Sequence, residues 1–463
     1  MSKISQAELP RRSFLTTTAA FVGSWAVVPA FSSLLKAAPE RERTPMQPVK
    51  DETTGLELLQ LPEGFRYLSF GWTGDPLADG RPTPAAHDGM AVIAEKDGIL
   101  TLCRNHELSR SGTPFGPAAI VYDEFGTAGC VNLEFDSHAG RLVRAWSSLA
   151  GTMKNCAGGP TPWGTWLSCE ETVVQDGDMG EDKRETKPLK LGQPHGYIFE
   201  VPARATVDPT PLKEMGRFVH EAIAIDPDTG IVYETEDRKR AGFYRFLPKT
   251  AGKLAEGGRL EMLKVGGQPD LIKEADAGRD YDVSWVPISD PDRPHSPGTK
   301  DGGGVFSQGE AQGGAVFARL EGCWWGNNLC YFVSTSGGRA GAGQIWQYDP
   351  RSEKLRLVFE SPGKELLDGP DNITVSPKGG IVVCEDGKRA PQKLHALTPD
   401  GRLSELAWNN VQLDGEKNEL KGDFRAQEWA GATFSPDGRW LFVNLQRPGI
   451  TLAITGPWEA HGL

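Results

Sequence analysis

The chain has 463 residues and a formal net charge of −12, with 24% charged and 38% hydrophobic residues. Its 56 glycines and 34 prolines exceed the share of about 12% usual in globular proteins and exclude a long helical bundle, because both residues weaken helix interiors. The 13 tryptophans and 19 phenylalanines argue against disorder, and the acidic balance argues against a nucleic-acid partner. Many turns and a large aromatic core together predict mainly β structure.

The N-terminal segment has the order of features of an export signal. The twin arginine Arg11-Arg12 precedes an apolar run that reaches Leu35, and small residues follow it. This order predicts a Tat signal peptide over residues 1–38. Thr, Ser and Gly dilute the apolar run, which makes it a poor match to a permanent membrane span. We therefore expect the Tat machinery to export residues 39–463 as a periplasmic or secreted protein with no stable membrane span.

Short hairpins of one type recur along the rest of the chain. In each, a strand of alternating or apolar residues leads into a turn rich in Pro, Gly and Asp, and a second strand follows. Repeated hairpins indicate a repeat architecture, and the strands between them would complete four-stranded propeller blades. The copies occupy residues 87–107, 155–170, 221–236, 321–335, 371–386 and 430–444.

These repeats predict an all-β fold, a six-bladed β-propeller formed as a single domain by residues 39–463. Each blade would have roughly 71 residues, more than the ~40–50 of a compact blade. The surplus is expected in inserted loops at residues 174–192 and 264–312. A β-sandwich or a seven-bladed ring is the alternative fold.

The ends of the predicted hairpins carry acidic residues. Glu221 and Glu236 lie far from the turn on the two strands of one hairpin, and Asp371 and Asp386 do so in another. Because a propeller points equivalent hairpin ends toward one mouth of its channel, carboxylates from several blades should converge there. Clustered carboxylates repel one another, so the sequence predicts bound cations at the central channel. Oxygen ligands suit Ca²⁺, whereas a thiolate beside them suits iron or zinc.

The seven cysteines supply one candidate thiolate. An odd number leaves at least one unpaired, and no two form the Cys-x-x-Cys pair of a zinc ribbon. Most are interpreted as small buried residues in strands. Cys169, next to Glu170 and Glu171 at a strand end, is the predicted soft ligand.

Several short segments follow one another along the chain at residues 104–107, 158–166, 168–171, 220–222, 319–321, 368–372, 384–387 and 428–431. In this order they resemble the PhoX-type alkaline phosphatase family, whose characterised members are longer than this chain. The resemblance implies a Tat-exported six-bladed propeller with a mixed cofactor of Fe³⁺ and Ca²⁺ in its central channel. It also implies hydrolysis of a small-molecule phosphate ester.

The resemblance assigns roles residue by residue. Cys169 would be the thiolate ligand of one iron, and Glu221 and Glu321 would be carboxylate ligands of the iron pair. Arg319 would hold the phosphate, since a guanidinium fork matches two phosphate oxygens. The residues expected around calcium are Glu107, Glu170, Glu171, Asp371, Asn372, and Glu385 or Asp386.

Two histidines next to these residues, His106 and His220, are interpreted as hydrogen-bonding neighbours of the ligands rather than as ligands. A Ser or Thr nucleophile is not expected, because the sequence contains no Gly-x-Ser-x-Gly elbow and no P-loop.

Two other functions stay open on the sequence. A calcium-dependent propeller lactonase or esterase would use one metal ion and a water molecule, and a non-catalytic periplasmic binding propeller would hold only structural calcium. A quinone-dependent dehydrogenase is disfavoured, because its usual eight-bladed ring needs a longer chain.

Overall fold

The structure is a computed structural model that describes residues 45–180, 187–398 and 401–463. Strands dominate the described residues, and the α-helix α1 covers Gly304–Glu310. The predicted signal peptide lies outside the described residues and stays a prediction. Short 3-10 helices cover Ala118–Ile120, Lys213–Met215, Leu254–Glu256 and Trp458–His461.

The strands are numbered β1 to β28 in chain order. The first ten are β1 (Gln47–Val49), β2 (Leu59–Leu61), β3 (Arg66–Phe70), β4 (His87–Lys96), β5 (Ile99–His106), β6 (Ala128–Asp136), β7 (Arg141–Thr152), β8 (Asn155–Pro160), β9 (Thr165–Glu170) and β10 (Ile198–Pro202). The next nine are β11 (His220–Ile225), β12 (Val232–Glu236), β13 (Phe243–Pro248), β14 (Gly258–Val265), β15 (Asp280–Pro287), β16 (Leu320–Gly326), β17 (Leu329–Ser334), β18 (Gln344–Asp349) and β19 (Lys354–Glu360). The last nine are β20 (Pro370–Val375), β21 (Ile381–Glu385), β22 (Lys393–Leu397), β23 (Leu403–Asn409), β24 (Gln412–Asp414), β25 (Lys421–Asp423), β26 (Trp429–Phe434), β27 (Leu441–Leu445) and β28 (Ile450–Thr455).

All the predicted hairpins are present, and each begins a group of antiparallel strands. The groups are β4–β7, β8–β10, β11–β14, β16–β19, β20–β23 and β26–β28. The first strands of these groups pack against one another in a closed succession, from β4 to β8, β11, β16, β20, β26 and back to β4. The prediction of an all-β, propeller-like fold is therefore confirmed, and the arrangement differs from the two packed layers of a β-sandwich.

Each hairpin follows from its turn chemistry. Between β11 and β12, the Asp226 side chain accepts hydrogen bonds from the Asp228 N–H at 2.9 Å and the Thr229 hydroxyl at 2.8 Å. Gly230 closes the turn with a φ of 72°, a conformation that a residue without Cβ adopts at little cost. The polar turn thus fixes where the two buried strands reverse direction.

The N-terminal part of the described chain joins the C-terminal part. Strand β3 pairs with β28, with Tyr67 opposite Ile454, and β2 pairs with β23, with Leu59 opposite Asn409. The last two strand groups are therefore completed by residues from the start of the fold. Contacts between the two ends of the described chain therefore close the succession of strand groups.

The predicted loop at residues 264–312 is only partly a loop. It contains β15, which pairs with both β14 and β19, and it also contains α1. The strands from β11 to β19 consequently form one nine-stranded sheet. The high Gly and Pro content of this stretch hid the strand, because such composition is typical of loops.

The core lies between the faces of neighbouring groups. Phe243 of β13 stacks on Phe332 of β17 with ring centroids 4.2 Å apart, and both belong to a buried apolar cluster that also contains Tyr348. Aromatic packing of this kind contributes beyond the area it buries. It fixes the separation of adjacent groups and therefore the positions of their first strands.

Candidate metal centre

A one-residue bulge occurs near the start of each first strand. In the β11–β12 hairpin, His220 lies opposite Glu236 and Ile223 lies opposite Glu234, so the first strand has one residue more than its partner. The same irregularity recurs in the other five hairpins, one position later in β26–β27. A bulge redirects the side chains beside it. Here it acts at the same end of every group.

The bulges define three equivalent positions in each hairpin. The lead position is the residue just before the first strand, the bulge position is the second residue of that strand, and the rim position follows the second strand. In every hairpin the lead carbonyl accepts a hydrogen bond from the rim N–H at 2.8–3.2 Å. The lead residues are Ala86, Lys154, Val219, Arg319, Gly369 and Glu428. The bulge residues are Asp88, Cys156, Glu221, Glu321 and Asp371, and Ala430 has the same place in β26, where the bulge begins one residue later. The rim residues are Glu107, Glu171, Asp237, Thr335, Asp386 and Gln446.

These positions bring many acids together. Four carboxylates occupy bulge positions, four occupy rim positions and one occupies a lead position, together with one thiol and two cationic side chains. Three sets of residues are close enough to share a metal ion, because in each set the possible ligand atoms lie within 4.8 Å of one another. The sets are Cys156 with Glu171 and Glu221, Glu221 with Glu321 and Asp371, and Asp88 with Glu107 and Glu428. Glu221 is common to the first two sets.

Burial and mutual repulsion act on these acids. Burial raises the pKa of Glu221, and the charges of Glu171 and Asp371 raise it further. Burial likewise raises the pKa of Asp371 to about 7 and that of Asp386 to about 6. So many carboxylates in one buried place are costly unless positive charge neutralises them.

The donor atoms fit bound cations. Cys156 Sγ donates to Glu221 Oε1 at 3.2 Å, while Glu221 Oε2 is buried with no hydrogen-bond partner among the described residues. A buried oxygen without a partner loses its hydration and gains nothing in return. A metal ion at this point would satisfy it. The thiol beside two carboxylates suits iron or another transition metal, and the all-oxygen set at Asp88 suits calcium.

The lead, bulge and rim residues together form the candidate metal centre, and Arg319 lies at its edge. Its Nε and Nη2 donate to the two oxygens of Asp237 at 2.9 and 2.8 Å, and Nη2 also donates to Glu321 Oε1 at 2.6 Å. Partial burial opposes its charge, but the hydrogen bonds to Asp237 and the charge of Glu321 outweigh this effect and raise its pKa. The side chain is 42% exposed. A permanent cation is therefore held beside the acids and remains accessible to solvent.

Seven of the residues predicted from the sequence are brought together here. They occupy lead, bulge or rim positions, and they are Glu107, Glu171, Glu221, Arg319, Glu321, Asp371 and Asp386. Asn372 lies next to them, where its Nδ2 donates to Asp371 Oδ1 at 3.0 Å and its Oδ1 accepts from the Gly431 N–H at 2.8 Å.

Cys169 does not lie with this set. Its side chain is buried in an apolar cluster with Leu167, Ile198 and Ile223. Cys156 is instead the thiol among the carboxylates. Burial raises the pKa of both thiols, so position rather than acidity distinguishes them. The structure thus places Cys156, and not the predicted Cys169, among the carboxylates, because β8 rather than β9 lines the centre.

Glu170 and Glu385 are likewise directed away. Glu170 accepts hydrogen bonds from the N–H groups of Met153, Gly196 and Tyr197, and its Oε1 lies 2.6 Å from His195 Nδ1. Glu385 accepts from the N–H groups of Asp368 and Lys393, each at 3.0 Å. Each precedes a rim residue, and neighbouring residues of an extended chain point to opposite sides. The next residues, Glu171 and Asp386, therefore face the centre.

Both histidines predicted as neighbours of the ligands are buried and bonded to backbone. His106 Nδ1 lies 3.0 Å from the Ala85 carbonyl oxygen, and His220 Nε2 lies 3.1 Å from that of Gly216. Burial lowers the pKa of both, in His220 to about 3. Neutral imidazoles in these places fix the backbone beside Glu107 and Glu221.

Four members of the centre were missed in the sequence: Asp88, Cys156, Asp237 and Glu428. A signal was present for the first two, because Asp88 and Cys156 follow the first residue of their hairpins as Glu221 follows His220. Alignment of the hairpins on their first residues would have found both.

Small residues let the first strands approach one another closely. A Cβ at Gly89 would lie 2.5 Å from Ala157 Cα, and a Cβ at Gly322 would lie 2.6 Å from the Asp371 carbonyl oxygen. Both distances are shorter than side chains tolerate. Glycine at these positions brings the bulge residues of adjacent groups within ligand distance.

Fold and site define a propeller-like protein with an acid-rich centre built from repeated hairpins. The sequence matches the family described as alkaline phosphatase PhoX over residues 44–134 and 138–449. The match spans nearly the whole chain, and the protein belongs to this family, which confirms the resemblance. Membership supports a phosphatase with a small-molecule substrate. No curated protein matches the chain.

Several solved structures are similar to this chain at low sequence identity. A gluconolactonase from Xanthomonas campestris is 12% identical, with 90% of this chain and 99% of that chain covered and a TM-score of 0.39. A protein of unknown function from Bacteroides thetaiotaomicron is 10% identical, with coverage of 84% and 76% and a TM-score of 0.41. A putative 6-phosphogluconolactonase from Bacteroides uniformis is 11% identical, with coverage of 90% and 93% and a TM-score of 0.37. Among the described residues, no helix combines the length and apolar character needed to cross a bilayer.

Proposed function

We propose that this protein is a metal-dependent phosphatase that hydrolyses phosphate monoesters at an iron–calcium centre. One observation carries the proposal: a thiol and nine carboxylates meet at the lead, bulge and rim positions, with the guanidinium of Arg319 beside them. Family membership supports the phosphatase activity. The closed succession of six first strands supports a six-bladed propeller formed by residues 39–463.

The donor atoms of each set of residues favour a different metal ion. Cys156, Glu171 and Glu221 would hold iron as Fe³⁺, because their set contains the thiol. Asp88, Glu107 and Glu428 would hold Ca²⁺, because their set is all oxygen. Glu321 and Asp371 would complete the site around Glu221, and Asp386 lies beside Glu428, with which it shares a side-chain hydrogen bond. When bound, the metals would supply Lewis acidity and neutralise the acids.

The chain itself would bind and orient the phosphoryl group. Because Asp237 and Glu321 engage Nε and Nη2 of Arg319, Nη1 would supply the two N–H donors for phosphate oxygens. Asp237 fixes the guanidinium through two hydrogen bonds, so little conformational freedom is lost when substrate arrives. As negative charge develops on the equatorial oxygens, this preoriented cation stabilises it.

The substrate would be a small-molecule phosphate ester. The half-exposed Arg319 can reach a phosphate from solvent without opening the fold. Export by the Tat machinery and a periplasmic or secreted location remain part of the proposal, because they depend on residues 1–38, which lie outside the described residues.

Metal analysis together with turnover of p-nitrophenyl phosphate tests the proposal. Iron and calcium should copurify with the protein, and Glu221→Gln should remove iron and turnover together. The exposed Glu63 provides a control. Glu63→Gln also removes one carboxylate from the protein, but it leaves the centre unchanged. Calcium without iron, together with hydrolysis of a lactone but not of a phosphate ester, would favour the lactonase. Calcium without any turnover would favour a binding propeller.

A further inference from the structure

Lys154 is the structural counterpart of Arg319. Both are lead residues, each directly before a first strand, and their φ angles are 50° and 51°. The Lys154 carbonyl accepts from the Glu171 N–H, as the Arg319 carbonyl accepts from the Thr335 N–H, each at 2.9 Å. Among the lead, bulge and rim residues of the described hairpins, these two carry the only cationic side chains.

The backbone determines where Lys154 lies. A positive φ is unfavourable for a residue with a Cβ, yet Lys154 is held there by its carbonyl bond to Glu171 and by its own N–H, which donates to the Leu108 carbonyl at 2.8 Å. Ala86 and Gly369 have positive φ at the same position. Four of the six lead residues thus share this conformation, and in it the side chains of Lys154 and Arg319 both reach the acids.

Glu221 belongs to two sets of possible ligands, and Lys154 contacts one set while Arg319 contacts the other. Lys154 Nζ lies 3.2 Å from Glu171 Oε2, and Glu171 shares a set with Cys156 and Glu221. Arg319 Nη2 lies 2.6 Å from Glu321 Oε1, and Glu321 shares the other set with Glu221. The Lys154 side chain is 18% exposed, so solvent reaches it.

We propose that Lys154 is a second residue that contacts the phosphoryl group of the substrate. It would do so from the Glu171 side of Glu221, while Arg319 binds from the Glu321 side. The inference rests on the proposed phosphatase function. An ammonium is a compact point charge, whereas a guanidinium is a planar fork. Lys154 therefore suits a single oxygen, and Arg319 suits a pair.

The test compares Lys154→Gln with Lys154→Arg and with the control Lys393→Gln. Lys393 also pairs with a carboxylate, Glu405, at 2.7 Å, but it lies outside the three positions. For each protein, bound iron and calcium, the inhibition constant of inorganic phosphate and kcat/KM for p-nitrophenyl phosphate are measured. Lys154→Gln should keep its metals, bind phosphate about tenfold more weakly and lose about 100-fold in kcat/KM. Lys154→Arg should recover part of both losses, and Lys393→Gln should behave as wild type.

Different results separate the two hypotheses. If wild type neither binds phosphate nor turns over phosphate esters, the proposed function fails and the inference fails with it. If wild type does both and Lys154→Gln retains wild-type phosphate affinity and kcat/KM, only the inference is overturned. Loss of metal from Lys154→Gln, with unchanged phosphate affinity in the protein that still holds metal, would also overturn it. Lys154 would then merely neutralise Glu171.

Discussion

Cys156 Sγ lies 3.2 Å from Glu221 Oε1, although 64 residues separate the two in the chain. They come from the neighbouring strands β8 and β11, and each is the second residue of its strand. The contact exists because the bulge in both strands turns equivalent residues toward the same space. It makes Cys156 the one thiol of the described chain that lies within a carboxylate set.

Replacement of Cys156 should therefore remove the iron of the proposed centre. Cys156→Ala should lose bound iron and nearly all turnover, because no other sulfur lies within that set. Cys169→Ala is the matched control, since that thiol is also fully buried but lies in an apolar cluster. It should retain iron and cost about 1 kcal/mol of stability from lost packing. Elemental analysis and p-nitrophenyl phosphate turnover of both variants measure the difference, and iron loss from Cys169→Ala alone would contradict this assignment.

Much of the fold was predictable, because its signals are local. The turn from Asp226 to Gly230 and the apolar strands around it identify a hairpin from sequence alone. The open ends of the hairpins were also predictable: Glu236 lies opposite His220, the neighbour of Glu221, and in the β8–β9 hairpin Glu170 lies opposite Asn155. Strand β15 was not, because it depends on pairing with β14 and β19 across a long separation.

The orientation of side chains at the hairpin ends was the harder problem. A shift of one residue moves a side chain to the other face of a strand, and a bulge introduces such a shift without any mark in composition. For this reason the sequence did not distinguish Glu170 from Glu171 or Glu385 from Asp386. Arg319 was found through the family motif, whereas Asp237, which binds it, lies in the preceding strand group and gave no signal.

The close approach of the first strands gives a second prediction. Gly322→Ala places a Cβ 2.6 Å from the Asp371 carbonyl oxygen and 2.8 Å from the Ile373 nitrogen. Backbone must move to relieve this contact, so we expect a loss of about 1–3 kcal/mol of stability and weaker metal binding at Asp371. Gly266→Ala is the control, because nothing lies within 4 Å of its Cβ. Denaturant unfolding of the two variants should differ by most of that loss, and equal stabilities would show that the first strands are not tightly apposed.

His195 predicts a pH-dependent contribution to stability. Its Nδ1 lies 2.6 Å from Glu170 Oε1 and its Nε2 lies 3.2 Å from Asp123 Oδ2. Burial opposes its charge, but the charge of Glu170 and the hydrogen bond to Asp123 outweigh burial and raise its pKa to about 9. Since this value exceeds the usual 6.5, the stabilisation is complete below about pH 6.5 and is lost as the pH rises through about 9.

The variant His195→Gln isolates this contribution. It leaves two buried carboxylates without their cation, which should cost about 3–5 kcal/mol at about pH 6. The difference in unfolding free energy between wild type and variant should shrink toward pH 9 and above. A difference that stays constant across this range would mean that His195 is neutral in the folded protein.

Removal of the metals should expose the repulsion among the acids. Burial raises the pKa of Asp371 to about 7 and of Asp386 to about 6, against a usual value of 3.8 for both. In the metal-free protein the folded state then holds protons on these two acids that the unfolded chain has released, so their contribution makes stability fall as the pH rises from about 4 to about 7. Chelator-treated protein, unfolded in denaturant across this range, measures the slope. Asp371→Asn should reduce it, because the amide does not titrate, and added calcium should restore most stability near pH 7, where the acids are ionised. A metal-free protein whose stability rises with pH over this interval would show that these carboxylates are already neutralised by the chain itself.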